Sequence, residues 1–79
     1  MKKYEYEKAA KALLIEGHYK LVDENIKWML HSLKIRTKRL MIYRKCSEQK
    51  ALNEIVQITS GAFSTEDFRQ YYDSHLIPR

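Results

Sequence analysis

The sequence predicts a small all-α protein in which residues 1–79 form a single domain of about four helices. Three observations favour this fold class. Apolar residues recur at helical spacing in separate stretches of the chain. Only two glycines and one proline are present, so few positions interrupt a helix. Cys46 is the only cysteine, so no intrachain disulfide can form and stability must come from helix packing.

The first helix is predicted from Tyr4 to Glu16. Its first turn contains acidic residues, which the helix dipole favours at that end. Gly17 follows directly and is the natural residue for the left-handed position that ends a helix. The face expected to be buried comprises Tyr6, Ala10, Leu13 and Leu14.

The second helix is predicted to begin between Tyr19 and Asp23, with Asp23 as a suitable N-cap. Apolar residues then continue at helical spacing as far as Leu33. The buried positions expected here are Val22, Ile26, Met29, Leu30 and Leu33.

Residues 34–45 allow two interpretations. Trp28, Ile35 and Ile42 recur every seven residues, which favours one long helix. Residues 34–38 also alternate between polar and apolar, as a half-buried strand does, and Thr37 could cap a new helix. We favour a helix with a break near residues 35–38. A short strand near residues 39–43, which would make the fold α+β, is the alternative.

The third helix is predicted from Ser47 to Thr59, with Gly61 near its left-handed C-terminal position. The fourth helix has a capping-box pattern in residues 64–67 and ends before Pro78. Phe63 and Phe68 have the spacing of a hydrophobic staple around that cap. One face of the fourth helix comprises Phe68, Tyr71, Tyr72 and Leu76. Because Tyr71 and Tyr72 are adjacent, at least one of them is expected at the rim of that face or in contact with a partner.

Charge is divided unevenly along the chain. Residues 1–46 contain twelve Lys and Arg against five Asp and Glu, whereas residues 47–79 contain three against five. The densest basic block runs from residue 34 to residue 45 and contains no acidic residue. Such a block is typical of a surface that binds an anionic partner. Its six cations are Lys34, Arg36, Lys38, Arg39, Arg44 and Lys45.

Nucleic acid is the leading candidate for that partner, because cations that meet phosphates supply affinity independent of sequence. Tyr43 lies within the block and could stack on a base. On a helix, Lys34 and Lys38 fall near one face. Arg36 and Arg39 point elsewhere, so the charge surrounds the helix. The alternative is a solvated surface whose Lys and Arg stems cover apolar atoms. The sequence thus predicts a non-catalytic, nucleic-acid-binding accessory or regulatory protein.

Aromatic residues favour a second hypothesis, docking on an acidic protein surface. Six Tyr and one Trp are present, and both residue types are enriched at interface hot spots. The chain would then be a modulator or inhibitor of the kind that phages and other mobile elements encode. A homodimer that buries these side chains against itself is a third hypothesis. The interface candidates are Trp28, Tyr19 and Tyr72.

Residues that could catalyse a reaction or hold a metal are sparse. No two of Cys46, His18, His31 and His75 have the close spacing of a structural zinc site. The sequence also lacks a glycine-rich phosphate loop and a nucleophile elbow. We therefore expect no enzymatic activity, no metal and no cofactor.

The chain is also expected to be cytoplasmic, without a membrane partner. Residues 1–7 are too charged to lead into the apolar core of a signal peptide. The longest apolar run covers residues 40–43, far short of the roughly 18 residues that a membrane-spanning helix needs. A single cysteine fits a reducing compartment.

Overall fold

The structure is a computed structural model that describes the backbone of residues 3–79 and the side chains of residues 5–79. Its helices are α1 (Lys3–Glu16), α2 (Asp23–Arg44), α3 (Glu48–Ala62) and α4 (Glu66–His75). Residues 3–79 form no strand apart from an isolated bridge between Tyr19 and Pro78. The prediction of a small all-α bundle is confirmed, and the α+β alternative is wrong.

Helices α1, α2 and α3 pack against one another around a shared apolar core. The face predicted for α1 is fully buried. In α2, Met29 and Leu33 are buried, while Ile26 and Leu30 pack at the edge of the core and Val22 is exposed. The buried apolar residues of the first three helices and the first loop are Tyr6, Ala10, Leu13, Leu14, Tyr19, Met29, Leu33, Ala51, Leu52 and Ile55.

Helix α4 reaches the core only through its C-terminal half, where Tyr72 and the following Leu76 are buried. Phe68 lies outside the core, contrary to the prediction that it shares the buried face, whereas Tyr71 is the member of the adjacent tyrosine pair that lies at the rim, as expected. More than half of each of these side chains is exposed. The predicted hydrophobic staple is also wrong, because Thr65 is the N-cap of α4 and Phe63 therefore lies two residues before the cap.

Helix α2 is continuous through the segment where a break was predicted. Its buried positions recur every four residues, and Thr37 belongs to this buried stripe instead of capping a new helix. Leu33 and Thr37 of this stripe are both fully buried, so the helix cannot unwind between them without exposing buried side chains. Asp23 is the first helical residue, and the N-cap is Val22, which makes no side-chain bond. The buried stripe consists of Asn25, Met29, Leu33 and Thr37.

The end of α1 differs from the prediction. His18, not Gly17, has left-handed backbone geometry, with φ at 63°. The Tyr19 N–H donates to the Leu14 carbonyl at 2.8 Å, and the His18 N–H donates to the Ile15 carbonyl at 3.1 Å. These two bonds form a Schellman motif with His18 in the position that glycine usually occupies.

Gly17 is required because there is no room for a side chain at this position, and not because its backbone is left-handed. A Cβ atom at this position would lie 2.6 and 2.8 Å from two ring carbons of Tyr19 and 3.1 Å from the ring of Phe63. The Tyr19 ring is fully buried, so it has little room to withdraw. The missing side chain of Gly17 therefore lets this aromatic pair close over the end of α1.

The predicted ends of the last two helices are also revised. Ser47 does cap α3, since its hydroxyl accepts a hydrogen bond from the Lys50 N–H at 3.3 Å. Gly61 lies inside α3 and is not left-handed, because the helix continues to Ala62. The capping box is wrong: Thr65 is the N-cap of α4 and its side chain makes no cap bond. The Ser64 hydroxyl instead donates back to the Gly61 carbonyl at 2.7 Å.

A fully buried amide joins the loop after α1 to the segment after α4. Asn25 Nδ2 donates to the carbonyl of Lys20 at 2.8 Å and to that of Ile77 at 3.1 Å, and Asn25 Oδ1 accepts the Ile77 N–H at 2.9 Å. The two segments also bond directly, from the Lys20 N–H to the Ile77 carbonyl and from the Arg79 N–H to the His18 carbonyl, each at 3.1 Å. We call this cluster the Asn25 clamp.

Two buried tyrosines donate their hydroxyls to carboxylates on other helices. Tyr6 donates to Glu48 Oε2 at 2.5 Å, and Tyr19 donates to Asp73 Oδ1 at 2.6 Å. Burial, reinforced by the bond to Glu48, raises the pKa of Tyr6 to about 12. Burial and the bond to Asp73 also raise the pKa of Tyr19. Both phenols must stay protonated for these bonds to form.

Because both phenols must stay protonated, we expect the free energy of unfolding to fall at alkaline pH. A raised folded-state pKa contributes stability that is complete below the ordinary tyrosine pKa near 10 and is lost as pH rises through the folded-state value, about 12 for Tyr6. Between pH 9 and 12, the free energy of unfolding measured with a denaturant should decline less in Tyr6→Phe than in the wild type. Tyr43→Phe, which alters an exposed side chain, is the matched control. An equal decline in wild type and Tyr6→Phe would contradict this account.

Candidate functional site

The predicted basic block occupies the C-terminal half of α2 and the first residue after it. Helix α2 has 22 residues and is therefore about 33 Å long, with this half at the end that leads into α3. The helix ends at Lys45, which has left-handed geometry with φ at 53°. The structure divides the block into two faces and a terminal pair of cations.

The first face forms a groove between α2 and α3. Its lining surface is almost wholly apolar, because the Tyr43 ring, Leu40 and Ile55 are joined by the carbon stems of two arginines and not by their guanidinium groups. Tyr43 is 83 % exposed, so the phenol ring stands in solvent at the open side. We call this feature the α2–α3 groove, and its lining residues are Arg36, Arg39, Leu40, Tyr43 and Ile55.

Arg36 stands out within the α2–α3 groove because its hydrogen-bonding capacity is unused. Its Nε and Nη2 atoms are buried and have no hydrogen-bond partner among the described residues. Buried donors without acceptors are uncommon in folded proteins, since each one loses its bonds to water. The side chain would therefore gain from turning these atoms outward to an acceptor on a ligand.

The second face lies beside the start of α1 and of α3. The ammonium of Lys34 is 5.9 Å from the centroid of the Tyr6 ring, within the range of a cation–π contact. The Tyr6 hydroxyl lowers the pKa of Glu48 by donating to its carboxylate, and the charge of Lys38 acts in the same direction. Lys34 thus has a structural contact, whereas Lys38 is exposed.

The two cations at the end of α2 differ in their availability. Arg44 Nη1 lies 2.7 Å from Glu54 Oε1 on α3, so part of its charge is neutralised. Lys45 is exposed, as is Arg39 on the first face. In the described part of the chain, no carboxylate lies within ion-pairing distance of Lys38, Arg39 or Lys45. The cations open to a partner are therefore Lys38, Arg39 and Lys45, whereas two of the three guanidinium nitrogens of Arg36 are buried.

The three aromatic interface candidates do not form one surface. Tyr19 and Tyr72 are buried in the core, so their rings cannot contact a partner in this fold. Trp28 is half-buried and stacks on His75, with ring centroids 4.9 Å apart. Tyr71 and His75 are the exposed members of this cluster, with ring centroids 4.8 Å apart. The prediction erred because helical spacing alone does not reveal which of two adjacent tyrosines faces the core.

The sequence analysis missed three residues that shape the candidate site. Leu40 and Ile55 form the floor of the α2–α3 groove, and Ile42 is 80 % exposed beside Tyr43. The signal for Ile42 and Tyr43 is present in the sequence, because both fall off the buried four-residue stripe of α2. The contribution of Ile55 could not be foreseen, since it depends on how α3 packs on α2.

Other kinds of site have little support within residues 3–79. None of the described helices has the combination of length and apolar character that a membrane span requires. No group of three or more His, Cys, Asp or Glu residues in this range is placed to hold a metal ion. Cys46 is a half-buried thiol without a disulfide partner. The chain matches no family model, no curated protein and no solved structure.

Proposed function

We propose that this protein acts without catalysis by binding nucleic acid through the C-terminal half of α2. One observation carries the proposal: Arg36, Arg39 and the exposed Tyr43 share a single groove, in a segment that contains no acidic residue. Arginine and lysine meet phosphates, and an exposed aromatic ring can stack on a base. Lys38 and Lys45 extend the positive surface beyond the groove.

The binding would be electrostatic in its first step. Each phosphate that a cation neutralises releases counterions, so affinity should fall steeply as salt concentration rises. The net charge of +5 would attract a polyanion to the protein before any contact forms. The acidic C-terminal part of the chain would repel the polyanion, so the polyanion would approach the side of the protein that carries the basic half of α2.

Charge reversal at two exposed cations tests the proposal. We expect Lys38→Glu/Arg39→Glu to abolish binding to labelled single- and double-stranded DNA and RNA, because both side chains are exposed and neither lies within ion-pairing distance of a described carboxylate. The wild type should bind at micromolar concentrations or tighter, with a slope of log affinity against log salt of about −0.7 to −0.9 per phosphate contact. The measurement is a titration at low and near-physiological salt.

The matched control reverses the charge of two exposed lysines near the N-terminal end of α2, one just before the helix and one on it. Lys20→Glu/Lys27→Glu lowers the net charge by the same amount but leaves residues 34–45 intact. Binding that survives in this control and is lost in Lys38→Glu/Arg39→Glu would support a local site. Absence of wild-type binding even at low salt would reject the proposal.

The neighbouring side chains Ile42 and Tyr43 favour a second candidate function, docking of the same surface on an acidic protein. Both are more than three-quarters exposed, and an apolar pair ringed by cations suits a partner with an acidic rim. In that case Ile42→Ser should weaken the complex more than Lys38→Glu does, since the centre of an interface carries most of its energy. A nucleic-acid site predicts the reverse order.

A further inference from the structure

We propose that the α2–α3 groove holds an unpaired nucleobase, so that the ligand of this protein is single-stranded nucleic acid. This inference rests on the proposed function, because it specifies which form of nucleic acid the basic half of α2 accepts. It depends on three properties of the groove: an exposed ring, an apolar floor, and two arginines whose carbon stems line it and whose guanidinium groups can turn toward a ligand.

The exposed ring of Tyr43 supplies the stacking surface. It is 83 % exposed and has no aromatic neighbour among the described residues, whereas Tyr71 and Tyr72 are engaged with other rings. An isolated exposed aromatic side chain gains burial and stacking from the flat face of a base. Such stacking tolerates any base, because every base has a π-face.

The floor of the groove suits the same ligand. The half-buried Leu40 and the carbon stems of the arginines present apolar surface over the buried Ile55, so a base that stacks on Tyr43 can also remove that surface from water. A phosphate alone would gain nothing from an apolar floor. The combination therefore favours a ligand that has a flat aromatic part and a charged part joined together.

The arginines can hold both parts of that ligand. A guanidinium group is planar, stacks on flat rings and donates in a fork to phosphate or carbonyl oxygens. Arg36 Nε and Nη2 are buried without a partner among the described residues, so a turn of this side chain toward a base edge or phosphate would give both donors an acceptor. Arg39 is exposed beside Arg36 and can meet a neighbouring phosphate.

Duplex nucleic acid does not fit these features. Inside a duplex both faces of each base are covered by neighbouring base pairs, so Tyr43 could reach only edges or the backbone. The phosphates of a duplex would still attract Lys38 and Lys45. A duplex should therefore bind by charge alone, without using the ring or the floor of the groove.

The test compares three labelled ligands of equal length by fluorescence anisotropy at low salt: a single-stranded oligothymidylate, an abasic chain with the same phosphates, and a duplex. We expect the oligothymidylate to bind about five- to a hundredfold tighter than the abasic chain, the range that stacking of one base provides. Tyr43→Leu should remove this difference and leave abasic and duplex binding unchanged. Tyr43→Phe, which keeps the ring, should retain it.

The outcomes separate this inference from the proposed function. If the abasic chain binds as tightly as the oligothymidylate, or if Tyr43→Leu leaves the difference intact, the groove does not hold a base, although phosphate binding stands. If none of the three ligands binds, both the inference and the proposed function are overturned. Because Tyr43 is exposed, its variants should remain folded, which circular dichroism would confirm.

Discussion

Asn25→Ala should lower the free energy of unfolding by about 3 kcal/mol, because it removes three hydrogen bonds that a fully buried amide makes to the backbone. The carbonyls of Lys20 and Ile77 would each lose a donor, and the Ile77 N–H would lose its acceptor. Asn25 is fully buried, so water cannot replace the amide without opening the structure. For a chain of this size, we expect the melting temperature to fall by roughly 15 °C.

Asn25→Asp is a stricter test of this prediction, because it keeps the shape of the side chain and changes only its hydrogen-bonding groups and charge. The carboxylate could still accept the Ile77 N–H, but it would face two carbonyl oxygens with no proton to donate. We expect it to be at least as destabilising at neutral pH as Asn25→Ala. Chemical denaturation followed by circular dichroism would measure both variants.

Asn53→Ala is the matched control for the Asn25 variants. Asn53 is exposed on α3 and bonds only to Gln49 on the same helix, at 3.0 Å. Its replacement should change the free energy of unfolding by less than about 0.5 kcal/mol. If Asn25→Ala cost no more than Asn53→Ala, the clamp would contribute nothing to stability.

Gly17→Ala is expected to be the second most damaging change, at about 1–3 kcal/mol. The new methyl group would overlap the buried Tyr19 ring, whose nearest carbon would be 2.6 Å away. That ring cannot turn aside freely, because its hydroxyl is bonded to Asp73 and its face meets Phe63 at a centroid distance of 5.9 Å. Thermal unfolding would report the loss.

His18→Gly should act in the opposite direction. His18 adopts the left-handed geometry that costs a residue with a Cβ atom but not glycine, and its side chain is exposed. We expect a stabilisation of about 0.5–1 kcal/mol. If Gly17→Ala were neutral and His18→Gly destabilising, two conclusions would be wrong: that a Cβ does not fit at residue 17, and that the left-handed backbone at residue 18 favours glycine.

This pair of residues illustrates why the sequence predicts the elements of the fold better than their ends. The buried face of α1 follows from spacing alone, since a helix brings residues three and four apart to one side. A glycine after a helix has two common uses, a left-handed turn or a close approach, and sequence does not separate them. Only the position of the Tyr19 ring, which its bond to Asp73 on α4 helps to set, shows that Gly17 is needed for a close approach.

The candidate site was foreseen in its charges but not in its shape. The absence of acids between residues 34 and 45 is a property of the sequence, and so is the division of cations around a helix. Which cations are available depends on tertiary neighbours: Glu54 engages Arg44, and the Tyr6 ring lies beneath Lys34. The groove itself requires α3, so residues 34–45 alone could not predict it.

The Asn25 clamp implies that distant parts of the chain exchange with solvent together. The amides of Lys20, Ile77 and Arg79 are donors in a single cluster, although the first is more than fifty residues from the others. Detaching either segment breaks bonds made by both, so these amides should share one opening free energy and form a single cooperative unit. Deuterium uptake at Lys20 should therefore follow that at Ile77 and not that of its sequence neighbours in α1.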